Sequence, residues 1–173
     1  MAHLVFITGG ARSGKSSFAQ KEAEKNAGGL LYVATAEIGD AEMAERVEKH
    51  RAARGERWQS LEEPLALAEK IPLAADNCSA ILIDCLTLWL SNLLEAHGED
   101  EERIRQEATA LIDALAKIDA SIYVVSNEVG SGIVPENRLA RAFRDLAGQM
   151  NQQFAEAADD AWLVASGLPL KLK

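Results

Sequence analysis

Residues 4–16 read Leu4-Val5-Phe6-Ile7-Thr8-Gly9-Gly10-Ala11-Arg12-Ser13-Gly14-Lys15-Ser16, and this stretch decides the fold. Leu4–Thr8 is a short, continuous apolar run, the signature of a strand buried on both faces. The next eight residues, Gly9 to Ser16, fit G-x-x-x-x-G-K-[ST]. The residues from Ser16 to Asn26 then take a helical pattern. Strand, glycine-rich loop and helix in that order form a phosphate cradle. Glycines at 9 and 14 allow positive φ and close approach to an anion. Successive backbone N–H groups converge at a helix N-terminus. Lys15 supplies a point charge for β- and γ-phosphates, and the Ser16 hydroxyl is a ligand for Mg²⁺. Four fixed positions match by chance on the order of once in a hundred chains at ordinary residue frequencies, and the strand-loop-helix context lowers that further.

Working outward, the same β-then-α rhythm recurs. Apolar runs lie at Leu30–Ala34, Ala80–Asp84, Ser121–Ser126 and Ala161–Ala165. Helical patterns lie at Asp40–Arg54, Glu63–Ile71, Thr87–Ala96, Glu101–Ile118 and Asn137–Ala158. Gly28-Gly29 suits the end of the first helix. Trp162–Ser166 and Leu170–Leu172 suit a closing hairpin around Gly167 and Pro169. Alternating β and α elements imply an α/β fold, a mostly parallel sheet flanked by helices. Ligands of such sheets bind at the carboxyl ends of the strands. The 173 residues carry no repeat or linker and fit one domain, 1–173. That size buries roughly 70% of the unfolded surface, enough for a core without disulfides.

Composition narrows the function. Net charge is −9, from 18 Lys+Arg against 27 Asp+Glu. Such a surface repels phosphate backbones and argues against nucleic-acid partners and a polybasic membrane anchor. Cys78 and Cys85 make no disulfide framework, and three scattered histidines make no zinc site. The N-terminus lacks the charged and apolar regions of a signal peptide. The most apolar stretch, 80–94, is interrupted by Asp84, Thr87, Ser91 and Asn92, so no membrane insertion is expected. The expected compartment is the cytoplasm.

Three further places carry chemistry. Asp84 ends an apolar strand, where it can complete a Mg²⁺ site with Ser16 or cap the following helix. In Asp40–Arg54, the residues Arg46, His50 and Arg54 are four apart on one helix face, with Arg51 beside His50. Neighbouring positive charge keeps an imidazole neutral, hence nucleophilic toward phosphorus. A solvated charged helix with one surface histidine fits the same spacing. Ser126–Gly132, polar and glycine-containing at the end of a strand, reads as a ligand-lining loop or as a connection to the Asn137 helix.

Taken together, the motifs resemble one family. They are GGARSGKS, YVATA (32–36), RVEKHRAAR (46–54) followed by Trp58, Glu62 and Pro64, ILIDCLTLW (81–89), NEVGSGIVPENRLARAFRDLAGQMNQ (127–152) and the terminal WLVASGLPLKLK. The chain is similar over essentially its whole length to the bifunctional adenosylcobinamide kinase/adenosylcobinamide-phosphate guanylyltransferases of cobalamin biosynthesis. The 127–152 stretch is the most specific part. The resemblance implies a RecA-like P-loop NTPase fold and a homotrimer. It implies phosphorylation of adenosylcobinamide by ATP or GTP, with Mg²⁺. It then implies transfer of GMP from GTP to adenosylcobinamide-phosphate through a GMP–histidine intermediate. By position His50 is the guanylylated histidine. Gly9, Gly10, Ala11, Arg12, Ser13, Gly14, Lys15 and Ser16 are the phosphate loop, with Lys15 catalytic. Ala34, Thr35 and Ala36, then Arg51, Ala52, Ala53 and Arg54, and also Glu62 and Asp84, contact the nucleotide. Ser16 and Asp84 hold the metal. The chain departs mildly from the pattern. Lys49-His50 stands where some members have two histidines, Gly55 where Pro is frequent, and Ser60 where Thr is common. Within the resemblance, guanylyl transfer alone, without the kinase step, stays open, as it does in some relatives. From the phosphate loop alone, two other readings stay open: a P-loop small-molecule kinase without a covalent step, and a RecA-type regulatory module whose assembly depends on nucleotide.

Overall fold

The apolar runs form the interior strands of one sheet, because only strands covered on both faces can be this uniformly hydrophobic. The computed structural model describes residues 2–36 and 55–173. Within them the strands are β1 (His3–Gly9), β2 (Gly29–Ala34), β3 (Trp58–Glu62), β4 (Cys78–Asp84), β5 (Ser121–Asn127), β6 (Asp160–Ala165) and β7 (Leu168–Lys171). The helices are α1 (Lys15–Glu24), α2 (Leu67–Ala74), α3 (Leu86–His97), α4 (Glu101–Leu115) and α5 (Arg138–Ala157). The sheet order is β3-β2-β4-β5-β1-β6-β7. All neighbours are parallel except β6 and β7. The α/β expectation and all five apolar strands hold.

Alternation along the strands separates two apolar layers. Leu4, Phe6, Leu31, Val33, Ile81, Ile83, Ile122 and Val124 face α2, α3, α4 and α5. Val5, Ile7, Leu30, Leu82, Tyr123 and Val125 face α1 through Ala19 and Ala23. The helices earn their place by periodicity. Ile104, Ala108, Leu111 and Leu115 are the buried stripe of α4, whose N-cap Asp100 accepts from Arg103 N at 3.0 Å. Asn137 caps α5 in the same way, accepting from Ala140 N at 3.1 Å. Each fully buried Leu or Ile in these layers contributes about 1.5–3 kcal/mol relative to exposure.

Three local readings differ from the sequence expectation. The first helix ends at Glu24 with Lys25 as C-cap, so Gly28-Gly29 leads into β2 rather than capping α1. The helix expected over Glu63–Ile71 starts at Leu67, because Glu63 Oε1 accepts from Leu65 N and Ala66 N at 2.9 and 2.8 Å and holds a turn ahead of it. Strand β3 was not expected, since WQSLE lacks an apolar run. It forms as an edge strand, where one partner suffices and polar residues are tolerated. The helix expected over Asp40–Arg54 lies outside the described residues.

The closing hairpin is present, with Ser166 and Gly167 at positive φ (52° and 81°) as its two-residue turn. Pro169 is tolerated because β7 is an edge strand. The hairpin is tied by Lys171 Nζ to Asp160 Oδ1 at 2.6 Å, with His3 Nε2 3.0 Å from Asp160 Oδ2. The Lys171 hydrogen bond, chiefly, holds the Asp160 carboxyl below the usual carboxylate range, and His3 assists. A depressed folded pKa stabilises above the unfolded value, about 4, and that contribution is lost as pH falls through the folded value. Asp160→Asn should therefore lower stability at pH 7 by about 0.5–1 kcal/mol, and the gap to the unmodified protein should close below about pH 4 in urea titrations.

Candidate active site

The phosphate loop follows β1 as expected, but its glycines act differently from one another. Gly14 takes φ +93° and starts α1. Gly9 is needed for space. A methyl group there would lie 2.6 Å from Ser13 Oγ and against the Val164 carbonyl, which is backbone and cannot yield. Arg12 takes positive φ (55°) without being glycine. The loop is held from outside by the β6–β7 turn, since Gly167 N donates to Ser13 O at 2.8 Å.

Several features suit an anion. Helix α1 has no side-chain cap at its N-terminus, whereas α4 and α5 are capped. Its first-turn N–H groups are thus available. Ser13 Oγ is buried with no partner among the described residues. Lys15 is buried, and its Nζ donates to Gly10 O at 3.0 Å, folded back across the loop. Ser16 is exposed at the start of α1.

The other expected residues gather along the carboxyl edge of the sheet. In register, Ala34 pairs with Glu62 on one side and Asp84 on the other. Alternation puts all three on the α1 face, beside Tyr32 and Trp58, whose rings meet edge to face at 6.3 Å. A small residue thus stands between the two carboxylates. Tyr32 Oη donates to Asp84 Oδ2 at 3.2 Å and orients that carboxylate. Asp84 does not cap α3, whose N-cap is Cys85 without a side-chain bond. Its strand is not next to β1, because β5 lies between, so the two are separated by about 9–10 Å of sheet. A hydroxyl and a carboxylate with substrate phosphates are the hard oxygen donors that Mg²⁺ takes. Ser16 and Asp84 supply a hydroxyl and a carboxylate of that kind, and the uncapped helix end suits the phosphates that would complete the set.

Thr35 behaves differently from its neighbours. It is fully buried, and its hydroxyl donates to Cys85 O at 2.7 Å while accepting from Cys85 N at 2.8 Å. Its own N donates to Asp84 O, and its O accepts from Asn92 Nδ2 at 2.8 Å. Thr35 thus clamps the backbone that carries Asp84, while Ala34 and Ala36 remain partly exposed. The Cys85 thiol beside it is raised above its ordinary pKa by burial and then by Asp84. His50 and Arg51, Ala52, Ala53 and Arg54 lie outside the described residues.

Two roles around the site escape motif reading. Thr35, expected as a nucleotide contact, acts with Asn92 as a backbone clamp. Thr87, Ser126 and Asn151 hold the tip of β5, a role that their places in the motifs do not signal.

Residues 5–172 match the family described as cobinamide kinase / cobinamide phosphate guanyltransferase (CobU). The chain belongs to that family. The bifunctional adenosylcobalamin biosynthesis protein CobP of Pseudomonas aeruginosa is 44% identical over 167 residues, 96% of this chain and 95% of its own. CobU proteins of the same description from Escherichia coli and Salmonella typhimurium are 42% and 43% identical, each over 98% of this chain and 99% of theirs. The RadB recombinase structure superposes with a TM-score of 0.52 at 14% identity, over 93% of this chain and 73% of that one. That likeness shows the fold, a mostly parallel sheet flanked by helices of the RecA-like kind. No helix among the described residues is long and apolar enough to cross a membrane.

Two substitutions test this geometry. Gly9→Ala should weaken GTP binding by about tenfold or more in calorimetric titration, the equivalent of about 1.4 kcal/mol. Thr35→Val should leave the Cys85 N–H unpaired and its C=O with Trp89 N as the remaining donor, and cost about 1–3 kcal/mol in urea unfolding, while Thr35→Ser should cost less.

Proposed function

We propose that this chain, acting as one catalytic unit in the cytoplasm, carries out both reactions of its family. It phosphorylates adenosylcobinamide with ATP or GTP, then transfers GMP from GTP to adenosylcobinamide-phosphate, releasing pyrophosphate. The observation that carries this reading is the family match over residues 5–172, which spans the phosphate loop and the 127–152 stretch alike.

In the kinase step, Gly9–Ser16 bind the triphosphate through backbone N–H groups. The corrinoid hydroxyl attacks the γ-phosphorus, and the bond to the β-phosphate oxygen breaks. Lys15 offsets charge on the departing side. Ser16 and Asp84 would hold Mg²⁺, which when bound would supply further neutralisation of phosphate charge. In the guanylyl step, a neutral His50 nitrogen attacks the α-phosphorus and pyrophosphate departs in line. Arg51 and Arg54 offset charge on the equatorial oxygens. A phosphate oxygen of the corrinoid then attacks the same phosphorus, and the N–P bond breaks. One displacement becomes two easier ones. Ala34 and Glu62 belong to the nucleotide site. The assembly is a homotrimer; exposed Ile133, Val134, Leu139 and Leu168 are apolar surface that such an assembly can cover.

Incubation with Mg²⁺ and α-labelled GTP should leave acid-labile, base-stable label on the polypeptide. His50→Ala should lose that label and guanylyl transfer while retaining phosphorylation within about tenfold. Equal loss of both activities in the folded variant would overturn the division of roles.

A further inference from the structure

The loop after β5 is pinned at both ends and apolar at its crest. At its start, Glu128 N donates to Gly9 O at 2.9 Å and Gly130 N donates to Glu128 Oε1 at 2.7 Å. Val129 packs against the larger core layer. At its end, Arg141 Nη1 donates to Pro135 O at 2.9 Å and to Glu136 O at 2.6 Å. Arg138 pairs with Glu99 at 2.7 Å, and Asn137 caps α5. Between these anchors Ile133 is 96% exposed and Val134 59%. Anchors on both sides fix the crest away from the core, so two large apolar side chains are held in water.

Another apolar side chain stands across the phosphate loop. Strand β1 lies between β5 and β6. In the turn after β6, Gly167 N donates to Ser13 O, and the next residue, Leu168, is 73% exposed. Leu168 pairs with Ala165, which alternates with Val164. Val164 faces α1, so Leu168 lies on the α5 face of the sheet. The 128–137 loop runs into α5 and so leads to the same face. The mouth of the anion site is thus flanked on that side by Ile133 and Val134 after β5 and by Leu168 after β6. Single exposed apolar residues are ordinary. Apolar residues on both flanks of an anion site mark a surface that a ligand covers.

The chemistry of the reaction selects the occupant. The nucleotide contacts Ala34, Glu62 and Asp84 lie on the α1 face, so the nucleotide leaves the α5 side of the mouth free. The acceptor hydroxyl must stand in line with the γ-phosphorus. That hydroxyl ends an aminopropanol arm, and the arm hangs from a broad corrin macrocycle bearing methyl groups and a fringe of amides. The macrocycle therefore rests on what surrounds the mouth. Ile133 is five residues beyond Glu128, hence within about 18 Å of it, the reach of an arm and a ring together. We infer that Ile133 and Val134, with Leu168 opposite them, are the apolar seat of the corrin macrocycle in the kinase step. The inference rests on the proposed reading of the acceptor as adenosylcobinamide. Ser131 and Gly132, exposed beside the seat, offer polar groups to the amide fringe.

The test uses the full chain with Mg²⁺, GTP and adenosylcobinamide, and reads KM for each substrate, kcat and sedimentation. The variants are Ile133→Ser combined with Val134→Ser, Leu168→Ser, and Ile133→Leu. Leu73→Ser is the control, 78% exposed at the end of α2 where the chain turns toward the start of β4, at the opposite edge of the sheet. All are surface substitutions, so each should melt within about 2 °C of the unmodified protein. The double variant should raise KM for adenosylcobinamide about 10- to 100-fold, the scale of two side chains losing an apolar contact. Its kcat and its KM for GTP should change by less than about threefold, because the lost contact binds ground state and transition state alike. Leu168→Ser should raise the same constant about three- to tenfold. Ile133→Leu and Leu73→Ser should leave it within about threefold. An unchanged KM for adenosylcobinamide in the double variant would overturn the assignment. So would a smaller sedimenting species with KM altered for both substrates together, the mark of a contact between copies of the chain. An unmodified protein that binds GTP but phosphorylates no adenosylcobinamide would overturn the proposed acceptor, and the seat with it.

Discussion

The absence of a side chain at Gly9 is the constraint on which the rest of the structure depends. At this point β1 ends, the loop begins, and three pieces of backbone converge. The Val164 carbonyl of β6 and the Ser13 hydroxyl occupy the space a Cβ would need. Glu128 N bonds Gly9 O from β5. Only glycine lets the loop turn back over the sheet while strands on both sides stay in register. The hairpin turn at Ser166-Gly167 then closes on the loop through Gly167 N and Ser13 O, so closely that a methyl group on Gly14 would come within 3.3 Å of Gly167 Cα. A sheet element more than 150 residues away in sequence thereby braces the anion site.

A second principle runs through the site: polar groups that carry chemistry are held by polar groups that do not. Thr35 closes both hydrogen-bonding groups of Cys85 with one hydroxyl and so sets the backbone that presents Asp84. Tyr32 sets the Asp84 carboxylate itself. Thr87, Ser126 and Asn151 set the end of β5. Each support is buried or partly buried, where an unmade hydrogen bond costs about 1–3 kcal/mol, and that cost is what gives the strand ends defined positions. The acidic surface has little part in this. The anion site works through local backbone dipoles and Lys15, at a helix end kept uncapped.

Much of the fold was legible from patterning. Interior strands announce themselves as unbroken apolar runs because helices cover both their faces. Strand β3 did not, because an edge strand of Trp58, Gln59, Ser60, Leu61 and Glu62 has no such pattern. Helix boundaries near Glu63 shifted because a side chain bonding two backbone N–H groups competes with helix initiation there. In the site, the loop was legible because its chemistry demands particular residues at particular spacings. Asp84 was legible as the charge ending an apolar run and Glu62 was named through family likeness, but their meeting across Ala34 depends on a strand order that no spacing contains.

By itself the sequence determined the α/β class, the phosphate loop with Lys15 and Ser16, the family, and the Asp84 strand end, because these rest on local periodicity and contiguous motifs. The tertiary structure decided that β5 intervenes between β1 and β4, that Thr35 is a clamp within the site, and that Asn127 stands beside Gly9. These are relations between residues far apart in the chain, set by sheet order and register. Register follows from packing two apolar faces against helices at once, and that condition is met only when the whole sheet has formed.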